Sequence, residues 1–458
     1  MKCPMEQGGT SKSAKKRIVI LGGGFGGVYA ALHLERSLAC EPEVEICLVS
    51  RDNFFLFTPM LHEVAASDLE ITNIVNPLRK LLRRVKVFVG EVERIDLPNK
   101  RVVVSHGYHN DDSHSHRLEY DHLVLALGSV TNFFDLSGFA ELALAMKSLP
   151  DAIHLRARII RRLEEANSEC SLGDRQSLLT FVVAGGGFAG VETVAALNDF
   201  ARGALQFYPN LREGMLRVVL VHPGAVILPE LGESLGSYAQ KVLARRRVEI
   251  RLNARVTSMT EREVFLKDGP PIPSGTLIWT AGSMPNPLLP SLPCQMECGR
   301  VLVNKFLQVP DWPGVWAVGD CAFVPDVRQP GRSHPPTAQH AIREGRVVAH
   351  NLALALAGRP PKPFSFKSIG LLASIGRRTG VARILGFNFS GFFAWWLWRT
   401  IYLSKLPGLD KKVRVAFDWT LDLLFRKDVC AVHDFPSRAD SHPREHRHGT
   451  VGDNSGYR

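Results

Sequence analysis

Two stretches carry residues whose types and spacing suit holding phosphates. Residues 17–31 read RIVILGGGFGGVYAA, with Gly22, Gly24 and Gly27 in the pattern G-x-G-x-x-G after the apolar run Ile18, Val19, Ile20 and Leu21. Residues 181–194 read FVVAGGGFAGVETV and repeat the pattern with Gly185, Gly187 and Gly190. The first glycine permits a tight turn, the second lets backbone approach a pyrophosphate, and the third lets helix and strand pack closely. The phosphates then rest on free N–H groups at the positive end of a helix. Two such units imply two dinucleotides, or one dinucleotide and a structural relic.

The strand after such a turn usually ends in an acid that holds ribose hydroxyls, about 20 residues past the glycines. Here those positions hold Ser50, followed by Arg51, and His222. Ser50 can still accept one hydrogen bond, and Arg51 can reach a phosphate or stack on adenine. His222 removes a repulsion against a 2′-phosphate, so a weakened preference for the unphosphorylated dinucleotide is expected. The eight cysteines are scattered with no C-x-x-C pair, which reads as reduced thiols in a cytosolic setting. Cys294 and Cys298 lack further ligands nearby in sequence, so no metal is expected. The histidines within residues 105–117 read as a solvated hairpin tip.

The elements that must position these residues follow from pattern. Residues 44–49 alternate as a second strand. Residues 54–64, FFLFTPMLHEV, form an apolar run that suits either core packing or a wall beside a flat ring. Residues 85–104 read as two strands joined by a turn at Leu97–Lys100. Residues 123–128 form a buried strand ending in Gly128, and residues 314–321 form another ending in Gly319-Asp320. Residues 150–170 read as a basic helix with Ile153, Ala157, Ile160 and Leu163 on one face. Strands are expected at 216–221, 248–251 and 277–279, the last followed by Ala281-Gly282, and a helix within 335–348.

The chain has 458 residues, enough for two or three domains, and a net charge of +11. That charge favours anionic surfaces. No run of about 18 apolar residues exists to span a bilayer. Residues 386–403 are dense in aromatics, and helical spacing groups Phe389, Phe392, Trp396, Arg399 and Leu403. Residues 413–425 place Val413, Phe417, Leu421 and Leu424 together beside Lys411, Lys412 and Arg414. Such faces describe helices lying in a membrane interface, and alternatively a dimer contact or core cap. The basic residues are dispersed without a nucleic-acid-reading motif.

Two glycine turns followed by a strand ending in Gly319-Asp320 resemble the flavoprotein reductases that bind two dinucleotides. That resemblance implies FAD in the first unit, NAD(P)H in the inserted one, and Asp320 on the ribityl chain of the flavin. It also matches Gly128 and Gly282 to the crossovers between domains. The C-x-x-x-x-C pair of the disulfide reductases is missing, so electrons must leave for an external acceptor. Residues 54–66, Pro336 to Ala341 (PTAQHA) and the aromatic, basic C-terminus are similar to type II NADH dehydrogenases, the non-pumping NADH:quinone oxidoreductases. The resemblance runs from about Arg17 to Asp428. It implies that Ala338-Gln339 lies under the flavin pyrimidine and lines a quinone pocket. It places the Phe57–Pro59 loop by the ring's other edge and Glu192 near nicotinamide and flavin. Glu192 would position the carboxamide and relay a proton, and Gln339 would hydrogen-bond a quinone carbonyl. The plain alternative for Glu192 is an acid complementing its helix dipole. Ile369 stands before Gly370 where relatives often carry Lys.

The resemblance therefore implies an α/β fold with two Rossmann-type dinucleotide-binding domains, the NAD(P)H domain inserted into the FAD domain, plus a C-terminal amphipathic helical region that associates with membrane. The expected divisions are a disordered 1–15, FAD-binding 16–148, NAD(P)H-binding 149–280, FAD-binding 281–362, membrane-associating 363–432 and a disordered 433–458. FAD is assigned to Gly22, Gly24, Phe25, Gly26, Gly27, Ser50, Arg51, Val92, Gly128, Gly319, Asp320, Ala338 and Gln339. NAD(P)H is assigned to Gly185, Gly187, Phe188, Ala189, Gly190, Glu192, His222 and Gly282. The implied partners are a quinone, the cytoplasmic face of the inner membrane and a second copy as homodimer. A sulfide:quinone reductase shares the fold but needs cysteines beside the flavin. A redox-sensing flavoprotein without turnover is the remaining alternative.

Overall fold

The computed structural model describes residues 15–38, 41–106, 114–134, 136, 139–425 and 427–430. Residues 1–14, residues 107–113 within the stretch expected to be a hairpin tip, and residues 433–458 lie outside them. Along the chain run β1 (Lys16–Leu21), α1 (Phe25–Leu38), β2 (Val44–Ser50), α2 (Leu61–Ala65), β3 (Lys86–Val89) and β4 (His122–Leu125). The second unit supplies β5 (Thr180–Ala184), α3 (Phe188–Ala204), β6 (Arg217–Val221) and β7 (Leu277–Trp279). The chain then returns through β8 (Val315–Ala317), α4 (Ala338–Leu356), α5 (Gly391–Lys405) and α6 (Leu409–Leu424).

The first sheet is parallel in the order β8-β4-β1-β2-β3, so β8 completes a unit that β5 to β7 interrupt. The second is parallel too, in the order Leu144–Ala145, β7, β5, β6, Val248–Arg251. Helices cover these sheets, so the inner strands β1, β4, β5, β6 and β7 are mostly continuous apolar runs, while β2 and the edge strands β3 and Val248–Arg251 carry polar residues. Ile18, Ile20, Leu21, Val182 and Val183 are all fully buried. Each such side chain contributes about 1.5–3 kcal/mol before chain entropy is counted. Both passages between units run through one antiparallel ribbon, Ser129–Thr131 against Ser283–Pro285. Gly128 and Gly282 immediately precede its two strands, as their expected crossover role requires.

Three readings need correction. Residues 86–106 form three strands rather than two, because Gly90 ends β3 and the chain turns into Glu91–Asp96 and Arg101–His106. A Cβ on Gly90 would stand 2.4 Å from Ser105 O, so only glycine passes there. Phe389 belongs to a strand, Phe387–Ser390, paired with Gly380–Ile384, and not to the helix that follows. Arg399 does not line the outer face of α5. Its guanidinium lies 4.2 Å from the Trp395 ring centroid and 4.5 Å from that of Trp419, inside the molecule. The basic helix forms as read, over Leu149–Ser168, with Ser148 and Asp151 making a reciprocal cap and Ala157, Ile160 and Leu163 buried.

Candidate active site

The two glycine turns have the same internal geometry. Gly22 and Gly185 adopt φ of +114° and +115°, a conformation other residues rarely take. A Cβ on Gly27 would lie 1.9 Å from Gly22 O, and one on Gly190 would lie 1.8 Å from Gly185 O. Those contacts let α1 and α3 begin directly over their strands. By contrast, the space beside Gly24, Gly187 and Gly128 is open. An open cradle of backbone N–H groups at a helix start fits a dinucleotide pyrophosphate.

The strand-end residues play matching parts. Ser50 is buried with its hydroxyl where a Cβ on Gly23 would stand, 2.2 Å away. The His222 ring occupies the same place under Gly186, whose N–H donates to Nδ1 at 3.1 Å. Burial lowers the His222 pKa, against a backbone hydrogen bond to Val226 that favours the charged form. Arg51 stands in solvent 3.8 Å from Asp52. Gly282 packs tightly, with Asn132 O and the Phe134 ring where a Cβ would be.

The first unit closes around Asp320. Gly319 has φ of +74° and its N–H donates to Glu344 Oε2 at 2.7 Å. Glu344 is buried and pushed up to about 7 by desolvation. Ser129 donates its hydroxyl to Asp320 Oδ2 at 2.6 Å, and Lys147 Nζ donates to Ser129 Oγ at 2.7 Å. Ser129, Lys147 and Glu344 were not legible as site residues. Their only sequence signal is adjacency to the Gly128 strand end and position six residues into α4. A Cβ on Gly345 would fall 2.5 Å from Gly26 O, so α4 presses on α1 and brings Ala338-Gln339 to this end of the sheet. Phe25 stacks edge-on against Phe55 at 5.0 Å. Phe188 and Ala189 open α3, and half-buried Val92 lies in the ribbon beside β3.

The C-terminal region reaches both units. Gln339 Nε2 donates to Ser368 Oγ at 3.0 Å. Phe57 meets Tyr402 of α5 ring to ring at 6.3 Å. Glu192 of α3 is buried beneath the C-terminal region, not displayed to solvent at its helix end. Its Oε1 accepts from Ser374 N and from Trp398 Nε1, each at 3.0 Å. Its Oε2 lies 3.8 Å from His62 Nδ1 of α2. Burial pushes Glu192 up to about 8 and lowers His62 to about 3, so this contact is not an ion pair near neutrality. One residue of the inserted unit thus touches the first unit and the C-terminal region together.

No described cysteine suits thiol chemistry here. Cys321 is fully buried against Leu125 O and Val318 O, and desolvation pushes its thiol up to about 11. Among the described residues no group of three or more His, Cys, Asp or Glu could hold a metal ion.

A profile of the pyridine nucleotide-disulphide oxidoreductases matches residues 16–345, and one of the NDH2 C-terminal domain matches residues 369–428. A type II NADH:quinone oxidoreductase of Mycobacterium tuberculosis is 33% identical over 92% of this chain and 91% of its own. The chain belongs to the type II NADH:quinone oxidoreductase family. NDH2 of Plasmodium falciparum, solved with NADH, shares the fold with a TM-score of 0.82 at 19% identity over 91% of this chain and all of that one. The sulfide:quinone oxidoreductase of Aquifex aeolicus shares it at a TM-score of 0.67 and 18% identity, covering 91% and 96% of the two chains. That likeness is one of fold alone, and the buried Cys321 gives it no chemical counterpart here.

Proposed function

We propose that this family member oxidises NADH with bound FAD and reduces a quinone at a membrane surface, without pumping protons. The observation that carries the reading is the three-way junction at Glu192, where both nucleotide units meet the C-terminal helices. FAD fits the first unit, since space is open beside Gly24 and Gly128 and Ser129, next to Gly128, bonds the Asp320 carboxylate. Once bound, FAD supplies hydride acceptance and two-electron delivery. The first glycine turn would hold its pyrophosphate, and Asp320 would accept from its ribityl hydroxyls. The second turn would hold the coenzyme pyrophosphate, with His222 at the strand end where the adenosine ribose or its phosphate would lie.

Glu192 holds the nicotinamide carboxamide and, being protonated near neutrality, can release a proton from Oε2. Gln339 donates to a quinone carbonyl in exchange for Ser368. On the outside, Phe392, Trp396, Val413, Phe417 and Leu424 are each at least half exposed, a stripe across α5 and α6 that suits lipid. No described helix is long and apolar enough to cross a membrane. In this reading the exposed stripe docks the chain on the cytoplasmic face of the inner membrane.

The test is spectroscopic. The purified protein should show flavin absorbance, bleach with NADH and regain colour with a short-chain quinone. Bleaching by sulfide, or failure of quinone to restore the colour, overturns the reading.

A further inference from the structure

The reaction above consumes a proton. Quinone plus NADH plus one proton gives quinol plus NAD+, the coenzyme C–H bond supplying a hydride and solvent supplying the second hydrogen. The junction at Glu192 is closed by α5, so that proton needs a way in. We propose that Glu63 and Asp422 line a proton-uptake route from a surface groove, through a small polar pocket, to Glu192. This rests on the quinone reductase reading.

The route is visible as two adjoining spaces. A small, partly open pocket of about 60 Å³ is lined by His62, Glu63, Arg399 and Ser374, among others. That is room for a few waters. Asp68, Asp422 and Lys427 line it as well, and the same three residues line an open groove of about 400 Å³. At the inner end, His62 Nδ1 faces Glu192 Oε2 at 3.8 Å, and Ser374 N donates to Glu192. Three buried polar atoms among the lining residues have no hydrogen-bond partner: His62 Nε2, Arg399 Nε and Asp422 Oδ1. Such atoms are commonly served by ordered water.

Glu63 stands in the middle. Its Oε2 accepts from Trp419 Nε1 at 3.1 Å. It faces His62 on its own helix, Asp68 on the following loop and Arg399 on α5. Asp422 and Lys427 approach from α6 and its extension, Arg377 from the loop after Gly370–Ser374, and Glu192 and Asp199 from α3. Asp199 is tied to Arg246 and Lys427 to Asp68, so those charges are internally balanced. Desolvation pushes Glu63 up to about 8 even with Arg399 nearby. A carboxyl so poised exchanges protons near neutral pH. His62, neutral, passes a proton by accepting at one ring nitrogen and releasing at the other.

Ferricyanide accepts electrons without taking up protons, which separates electron delivery from proton delivery. Glu63→Gln keeps an acceptor for Trp419 and should lower the ratio of quinone to ferricyanide activity about tenfold or more. Asp422→Asn, at the mouth, should lower it about threefold, and Glu63→Asp should restore part of the loss. The resting Glu63→Gln protein should also lose a protonated-carboxyl band from its infrared spectrum at neutral pH. A folded Glu63→Gln variant that keeps both ratio and band overturns the route alone. A wild-type protein that bleaches with NADH yet never reduces quinone overturns the route and the activity reading together.

Discussion

Trp398 donates its indole N–H to Glu192 Oε1 at 3.0 Å, joining residues 206 positions apart. The bond is buried and ends on a carboxyl that desolvation already pushes up to about 8. Trp398→Phe removes the donor and leaves a polar oxygen short of one partner. The variant should unfold with roughly 1–3 kcal/mol less stability in denaturant titration. That bond favours the ionised form, so its loss moves Glu192 further up, and the alkaline limb of the activity profile should shift upward.

Stability should depend on pH in a stated direction. Glu192 and Glu63 rise from 4.5 to about 8 on folding. Between those values the unfolded chain binds fewer protons, so both groups contribute stability that declines as pH rises through that window. His62, lowered from 6.5 to about 3, acts in the opposite sense and withdraws stability as pH falls below its ordinary value. Glu192→Gln should flatten the fall of melting temperature between about pH 5 and 8. An unchanged slope contradicts the assignment.

Coenzyme choice turns on His222. Nδ1 accepts from Gly186 N–H, and the ring brings no negative charge to repel a 2′-phosphate. His222→Asp introduces one, worth about 1 kcal/mol at 4 Å in water. The ratio of kcat/KM for NADPH over NADH should fall roughly fivefold to tenfold. Steady-state assays with both coenzymes decide it.

Vesicle binding tests the outer stripe. Replacing Phe392, Trp396 and Phe417 with Ser removes large apolar surface that is each at least half exposed. Retention on anionic vesicles should drop about tenfold or more while thermal stability holds. If the stripe instead closes between two copies, the wild type will sediment as a dimer without lipid and the triple variant as a monomer.

Much of the frame was legible because it depends on local pattern. The glycine turns, β1, β5, β7 and the Gly319-Asp320 strand end all follow from apolar runs and glycine spacing, which the sheets reproduce. What escaped was decided by distance in sequence. Ser129 and Lys147 meet Asp320 only after the chain has gone out through the second unit and come back. Glu63 reads as part of an apolar run, and nothing local reveals that Arg399 and Trp419 will enclose it. Arg399 itself was misjudged, because helical spacing puts it with Phe392 and Trp396 while two tryptophan faces hold it inside. Phe389 was misjudged because an aromatic-rich run has no clear period and a glycine, Gly391, resets the chain from strand to helix.

The ribbon of Ser129–Thr131 with Ser283–Pro285 fastens the departure and return of the intervening segment side by side. The segment between is anchored at both ends of the molecule as well, since its Lys147 reaches Ser129 and its Glu192 reaches Trp398. A transplant of that segment from a relative would therefore have to bring matching partners for the flavin side and for the terminal helices.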